Sequence, residues 1–99
     1  MNFKKRVLTS EAQKKENSKI VVAGWVSNIK IMGSLAFITL RDNSGTLQLT
    51  FLKKQFKEFN KLKEITKESS IAAKGTIKKG KLKSGEKELI VDELKVLNL

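Results

Sequence analysis

Two side chains in this sequence have the chemistry to meet a nucleobase, and both lie in short alternating segments. In Leu35 to Arg41, Ala36, Ile38 and Leu40 hold one parity while Phe37, Thr39 and Arg41 hold the other. A strand with that pattern buries the first set and turns the second outward. Phe37 is thus an aromatic on the mixed face, where it either stacks on an exposed base or packs against Trp25, a helix or a partner; parity alone leaves both readings open. Stacking on an aromatic ring contributes about 1–3 kcal/mol for any nucleobase. In Thr46 to Phe51, Leu47, Leu49 and Phe51 alternate with Thr46, Gln48 and Thr50. Gln48 shares the outward parity, and its amide both donates to and accepts from a base edge. A solvated strand glutamine would show the same pattern.

Cations surround these two positions. Lys30, close to the end of the first strand, and the lysines between Lys78 and Lys87, among them Lys78, Lys81 and Lys83, can meet backbone phosphates as point charges. Each of them alone also reads as plain surface. The chain holds 21 Lys plus Arg against 10 Asp plus Glu, a net charge of +11, and its only arginines are Arg6 and Arg41. Such lysine richness suits diffuse attraction to phosphate better than an arginine-rich motif. Charge by itself describes an unremarkably solvated surface equally well.

Most other chemistry is excluded. With no His and no Cys, the usual zinc sites, thiolate nucleophiles, disulfide frameworks and near-neutral proton shuttles are absent. Asp42, Asp92 and Glu93 are too few and too scattered to argue a metal site or a carboxylate pair. Gly75-Thr76-Ile77-Lys78-Lys79-Gly80-Lys81 has the spacing of a phosphate-binding P-loop, but Leu82 replaces the required Ser or Thr. The segment also runs from strand into a lysine-rich hairpin rather than into a helix whose end could cradle phosphate. A chain of 99 residues holds a single core, with no room for a second domain or a large catalytic apparatus. No apolar run approaches the ~18–20 residues of a membrane span, and Met1 to Ser10 lacks an apolar signal core, so a cytoplasmic location without membrane attachment is expected.

The elements that must position Phe37 and Gln48 follow from patterning. Residues 1–18 read as a lead-in without a functional role of its own, in which Ser10-Glu11-Ala12-Gln13 forms a capping box that can start a short helix through Glu16. Residues 19–99 form the domain. Its first strand is the long β-prone run from Lys19 to Ile31, where the internal Gly24 signals a bulge or bend. The second and third strands are the two segments above, joined by the turn signal Asp42-Asn43-Ser44-Gly45. Lys53 to Lys67 carries Phe56, Phe59, Leu62 and Ile65 as the apolar stripe of an amphipathic helix. Ile71 to Lys78 is a fourth strand, the basic loop from Lys79 to Gly85 turns the chain, and Lys87 to Leu97 is the fifth. This all-β order with one helix inserted between strands three and four predicts a five-stranded antiparallel OB-fold, a Greek-key barrel whose second and third strands commonly bind oligonucleotides. An SH3-like barrel or a ferredoxin-like sandwich accounts less well for that helix.

Three stretches then carry a resemblance: Val22-Ala23-Gly24-Trp25-Val26, Met32-Gly33-Ser34-Leu35-Ala36-Phe37-Ile38 and Leu40-Arg41-Asp42-Asn43-Ser44-Gly45-Thr46-Leu47-Gln48. Together with Lys74-Gly75-Thr76-Ile77 and Val96-Leu97-Asn98, this ordered set resembles the amino-terminal anticodon-binding OB domain of class IIb aminoacyl-tRNA synthetases, most nearly the archaeal-type aspartyl group. The resemblance spans nearly the whole chain. It implies that Phe37 stacks on the middle anticodon base and that Gln48 reads anticodon bases by hydrogen bonding. It also implies an anticodon contact from a glutamate after the last loop, for which Glu88 is the best match and Glu86 a competing one. Lys30 stands where the family usually has an arginine, which keeps the charge but loses the bidentate fork. Leu40-Arg41-Asp42 favours the aspartyl or asparaginyl branch over the lysyl one; those two anticodons share their first two bases and differ in the third.

The expected partner is therefore a tRNA anticodon loop or other single-stranded nucleic acid. No cofactor is expected in this domain, since ATP and magnesium belong to the catalytic domain of a synthetase parent. The resemblance further implies a monomeric isolated domain and a homodimeric parent, and the ending at Leu99 suggests an excised domain or a free-standing relative. Two other readings compete. One is a general single-stranded nucleic-acid binder, the other a protein-interaction OB module or engineered scaffold.

Overall fold

Alternation of apolar with polar or mixed positions builds five strands: β1 (Lys19–Met32), β2 (Leu35–Asp42), β3 (Gly45–Leu52), β4 (Ser70–Lys79) and β5 (Lys87–Asn98). The computed structural model describes residues 7–12, 14–79 and 87–98. The strands close into a barrel in the order β1-β2-β3-β5-β4, with β4 returning to pair with β1. This is the OB-fold topology that the element order predicts. One pairing differs from an all-antiparallel expectation: β3 and β5 run parallel, matching Gln48 with Glu88, Leu49 with Leu89 and Thr50 with Ile90. The reason is parity. Strand direction alternates at every antiparallel step, so a closed ring of five strands cannot be antiparallel throughout and one pair must be parallel.

The barrel interior is filled by the apolar parity of each strand, including Val22, Val26, Ile38, Leu40, Leu47, Leu49, Phe51, Ile71, Ile77, Leu89 and Val91. Strand β1 serves two partners, pairing with β4 from Lys19 to Trp25 and with β2 from Trp25 to Met32. Where it changes partner, the backbone carbonyl of Arg41 approaches Gly24 so closely that any Cβ there would collide with it. The bulge itself lies beyond the glycine: Val26 pairs with Leu40 and Asn28 with Thr39, leaving Ser27 as the extra residue. A bulge reverses the side-chain parity downstream of it. Before Ser27 the even-numbered Val22 and Val26 face the core; after it Ile29 packs against the core, and Lys30 lies opposite Phe37.

The segment between β3 and β4 also departs from the expected α-helix over 53–67. It begins with turns and contains a 3-10 helix only at Phe59–Glu64. The spacing explains the difference. Phe56, Phe59, Leu62 and Ile65 are each three residues apart, the period of a 3-10 helix, whereas an α-helical stripe drifts unless spacings of three and four alternate. All four are buried in the core cluster, and the Phe56 ring meets Phe51 edge-on with centroids 5.0 Å apart.

Helix α1 (Thr9–Ala12) is shorter than the expected stretch through Glu16, and Gln13 of the capping box lies outside the described residues. Ala12 and Thr9 are fully buried. The Asp42 carboxylate at the β2–β3 turn holds α1 in place: it accepts from the Thr9 backbone N–H at 2.8 Å and from Thr9 Oγ1 at 2.8 Å. The same carboxylate orders its own turn, accepting from the Ser44 N–H at 2.8 Å, Ser44 Oγ at 2.7 Å and the Gly45 N–H at 3.1 Å. Partial burial alone would raise its pKa, but hydrogen bonds from Thr9 and Ser44 outweigh that effect and leave it at about 2. Among the described residues, no helix is long and apolar enough to cross a membrane.

Candidate nucleic-acid interface

Residues directly opposite one another on paired strands share a face, so the registers arrange the outward side chains in rows. One row runs Asn28, Thr39, Gln48, Glu88 and Lys78 across β1, β2, β3, β5 and β4. The next runs Lys30, Phe37, Thr50 and Ile90, and beyond it lie Met32, Leu35 and Leu52. A cleft of 460 Å³ opens over these rows, lined by Leu35, Phe37, Gln48, Thr50, Leu52, Glu88 and Ile90. Phe37, Gln48 and Glu88, which are far apart in sequence, thus line one concavity. Phe37 is half-buried there, away from Trp25, which lines a different cleft with Leu8 and Leu97.

Polar contacts preset the Gln48 side chain. Its Nε2 donates to Thr50 Oγ1 at 3.3 Å and, more weakly, to Glu88 Oε2 at 3.5 Å. With the amide nitrogen so engaged, the amide oxygen and the remaining capacity of the Glu88 carboxylate are the acceptors available to an incoming base. The polar end of the cleft is therefore suited to edges that present N–H donors. The opposite end, formed by Leu35, Leu52, Ile90 and the Phe37 ring, is suited to flat apolar surface.

Lys30 is exposed and lies across from Phe37 on β1. Lys78 is exposed and lies across from Glu88 on β4, where its Nζ donates to Asn17 Oδ1 at 3.3 Å. Lys81, Lys83 and Glu86 lie outside the described residues. Strand parity signals the outward side of Thr50, Leu35, Leu52 and Ile90, but local patterning does not show that they line one cleft with Gln48; the β3–β5 register brings them together. Trp25 is 41% exposed. It precedes the bulge at an odd-numbered position of β1, the parity that points out of the barrel there.

Among the described residues, no group of three His, Cys, Asp or Glu could hold a metal ion. Asp42 is engaged with Thr9 and Ser44, and Asp92 with Gln55 Nε2 at 2.7 Å and Lys19 Nζ at 3.2 Å. Gly75–Lys79 lies in β4, and the next described element is β5; Gly80, Lys81 and Leu82 of the P-loop match lie outside the described residues.

The family model for the OB-fold nucleic acid binding domain of the tRNA anticodon type matches residues 20–97. The chain belongs to this family. The OB domain is 40% identical over 87 residues to the aspartate-tRNA ligase of Ruminiclostridium cellulolyticum, covering 81% of this chain and 15% of that protein. It is 36% identical over 98 residues to the aspartate-tRNA(Asp/Asn) ligase of Archaeoglobus fulgidus, covering 94% of this chain and 22% of that protein. Its fold superposes on the crystal structure of asparaginyl-tRNA synthetase from Pyrococcus horikoshii with a TM-score of 0.86 at 28% identity, over 98% of this chain and 24% of that one. The OB domain thus spans 15% and 22% of the length of these two ligases.

Proposed function

We propose that this OB domain recognises the anticodon loop of a tRNA for aspartate or asparagine. The observation that carries this reading is the convergence of Phe37, Gln48 and Glu88 on one 460 Å³ cleft in a domain with a net charge of +11. An unstacked loop base lies on the Phe37 ring. The Gln48 amide oxygen and the Glu88 carboxylate accept hydrogen bonds from base edges, and Lys30 and Lys78 hold phosphates on either side. Lys81 and Lys83 add to the same electrostatic attraction. The names of the relatives support aspartate or asparagine as the amino acid. Aminoacylation, with its ATP and magnesium, belongs to a class II catalytic domain; among the described residues no group of three His, Cys, Asp or Glu could hold that magnesium.

Fluorescence anisotropy at about 150 mM salt, where diffuse attraction is screened, tests the reading with RNA stem-loops bearing the aspartate, the asparagine and an unrelated anticodon. Preference for one or both of the first two is expected, and Phe37→Ala should weaken that binding by about 1–3 kcal/mol. Equal, salt-labile binding of all three loops would instead identify a general polyanion binder, and a folded Phe37→Ala variant with undiminished affinity would remove Phe37 from the site.

A further inference from the structure

The row that contains Gln48 and Glu88 does not stop at β2. It continues through Thr39 to Asn28 on β1, at the point where the Ser27 bulge adds a residue to the strand. Bulges occur preferentially where a strand re-aims a side chain beside a functional surface. Here the bulge sets Asn28 opposite the outward Thr39, and with it the exposed Lys30 opposite Phe37. Asn28 is itself exposed, and among the described residues its amide has no hydrogen-bonding partner, in contrast to the Gln48 amide, which is held by Thr50 and Glu88. Adjacent strands are about 4.8 Å apart, so Asn28 stands roughly 10 Å from Gln48 across the sheet.

We infer that Asn28 is a further specificity-determining residue, reading the edge of a loop nucleotide adjacent to the one stacked on Phe37. This inference rests on the anticodon-loop reading of the cleft. A nucleotide that leaves Phe37 toward β1 passes over Thr39 and Asn28, with Lys30 in the neighbouring row to hold its phosphate. A free carboxamide offers one donor and one acceptor side by side, the pattern that a Watson–Crick or Hoogsteen edge complements in single-stranded loops. Asn28 and the Gln48–Glu88 pair would then read different nucleotides from opposite sides of the Phe37 ring.

The test measures the binding of the 99-residue chain to a set of stem-loops, each altered at one anticodon position, for wild type, Asn28→Ala and Phe37→Ala. Circular dichroism and thermal melting confirm that both variants fold. Asn28→Ala should weaken binding to the preferred loop by about tenfold and abolish discrimination at one position next to the stacked base, while discrimination elsewhere is retained. A uniform loss with unchanged discrimination would mean that Asn28 meets only the RNA backbone and would overturn the inference. An unchanged profile for Asn28→Ala, alongside weakened binding by Phe37→Ala, would also overturn it while leaving the anticodon reading intact. Failure of the wild type to discriminate among any of the loops would refute the anticodon reading, and the Asn28 inference with it.

Discussion

The carboxylate of Asp42 joins the lead-in to the barrel, and its replacement by asparagine has a pH signature that can be worked out in advance. Five hydrogen bonds from Thr9, Ser44 and Gly45 converge on it, and those from Thr9 and Ser44 outweigh the effect of partial burial and lower its pKa from the ordinary 3.8 to about 2. A displacement of that size corresponds to about 2.5 kcal/mol at full strength. Asp42 is partly solvated, and screening reduces the effective contribution to on the order of 1 kcal/mol. Because the folded pKa is the lower one, this stability is fully present above pH 3.8 and is lost as the pH falls through about 2. Asparagine has the shape of the protonated acid, and its NH2 group confronts donors where a carboxylate oxygen accepted. Asp42→Asn should therefore melt about 4–8 °C below wild type at pH 7, given the usual dependence of Tm on stability at this size. The two proteins should converge as the pH approaches 2. Melting curves followed by circular dichroism at pH 7, 4, 3 and 2 provide the measurement, and the difference between the proteins removes the common titration of other carboxylates. A Tm gap of the same size at every pH, or no gap at pH 7, would refute the reasoning.

Two other predictions follow from the cleft and the barrel. Glu88→Gln replaces a pure acceptor by a group that also donates, so it should narrow the preference for bases with N–H donors over those without, by about 1–3 kcal/mol of discrimination, as read by competition binding with base-substituted loops. Gly75→Ala would place a Cβ against the carbonyl group of Ile90 and 2.9 Å from the Val91 Cα. Backbone atoms on a paired strand cannot give way as a side chain can, so a loss of about 1–3 kcal/mol or more is expected in denaturant titration; a variant as stable as wild type would show that β4 and β5 can separate at this point.

The alternation of apolar and polar residues in β2 and β3 determined by itself which side chains face the core, since the period of a strand leaves no other way to bury Ile38, Leu40, Leu47 and Leu49 together. It therefore also placed Phe37 and Gln48 on the outward side. The buried set Phe56, Phe59, Leu62 and Ile65 was legible in the same way, and its strict spacing of three is the period of a 3-10 helix rather than of an α-helical stripe. Three features were decided only by tertiary structure. The parallel pairing of β3 with β5 follows from closing an odd ring, a property of the whole barrel, and it alone brings Glu88 to Gln48. The bulge at Ser27 inverts the parity of β1 and so puts Asn28 and Lys30 on the face of Phe37; a local pattern cannot locate an inversion that depends on how β1 divides itself between β4 and β2. The third is the docking of α1 by Asp42, a residue whose turn signal explains its contacts with Ser44 and Gly45 but not its long-range bond to Thr9. Local periodicity thus determined the facing of individual strands, whereas the composition of the cleft depended on which strands became neighbours.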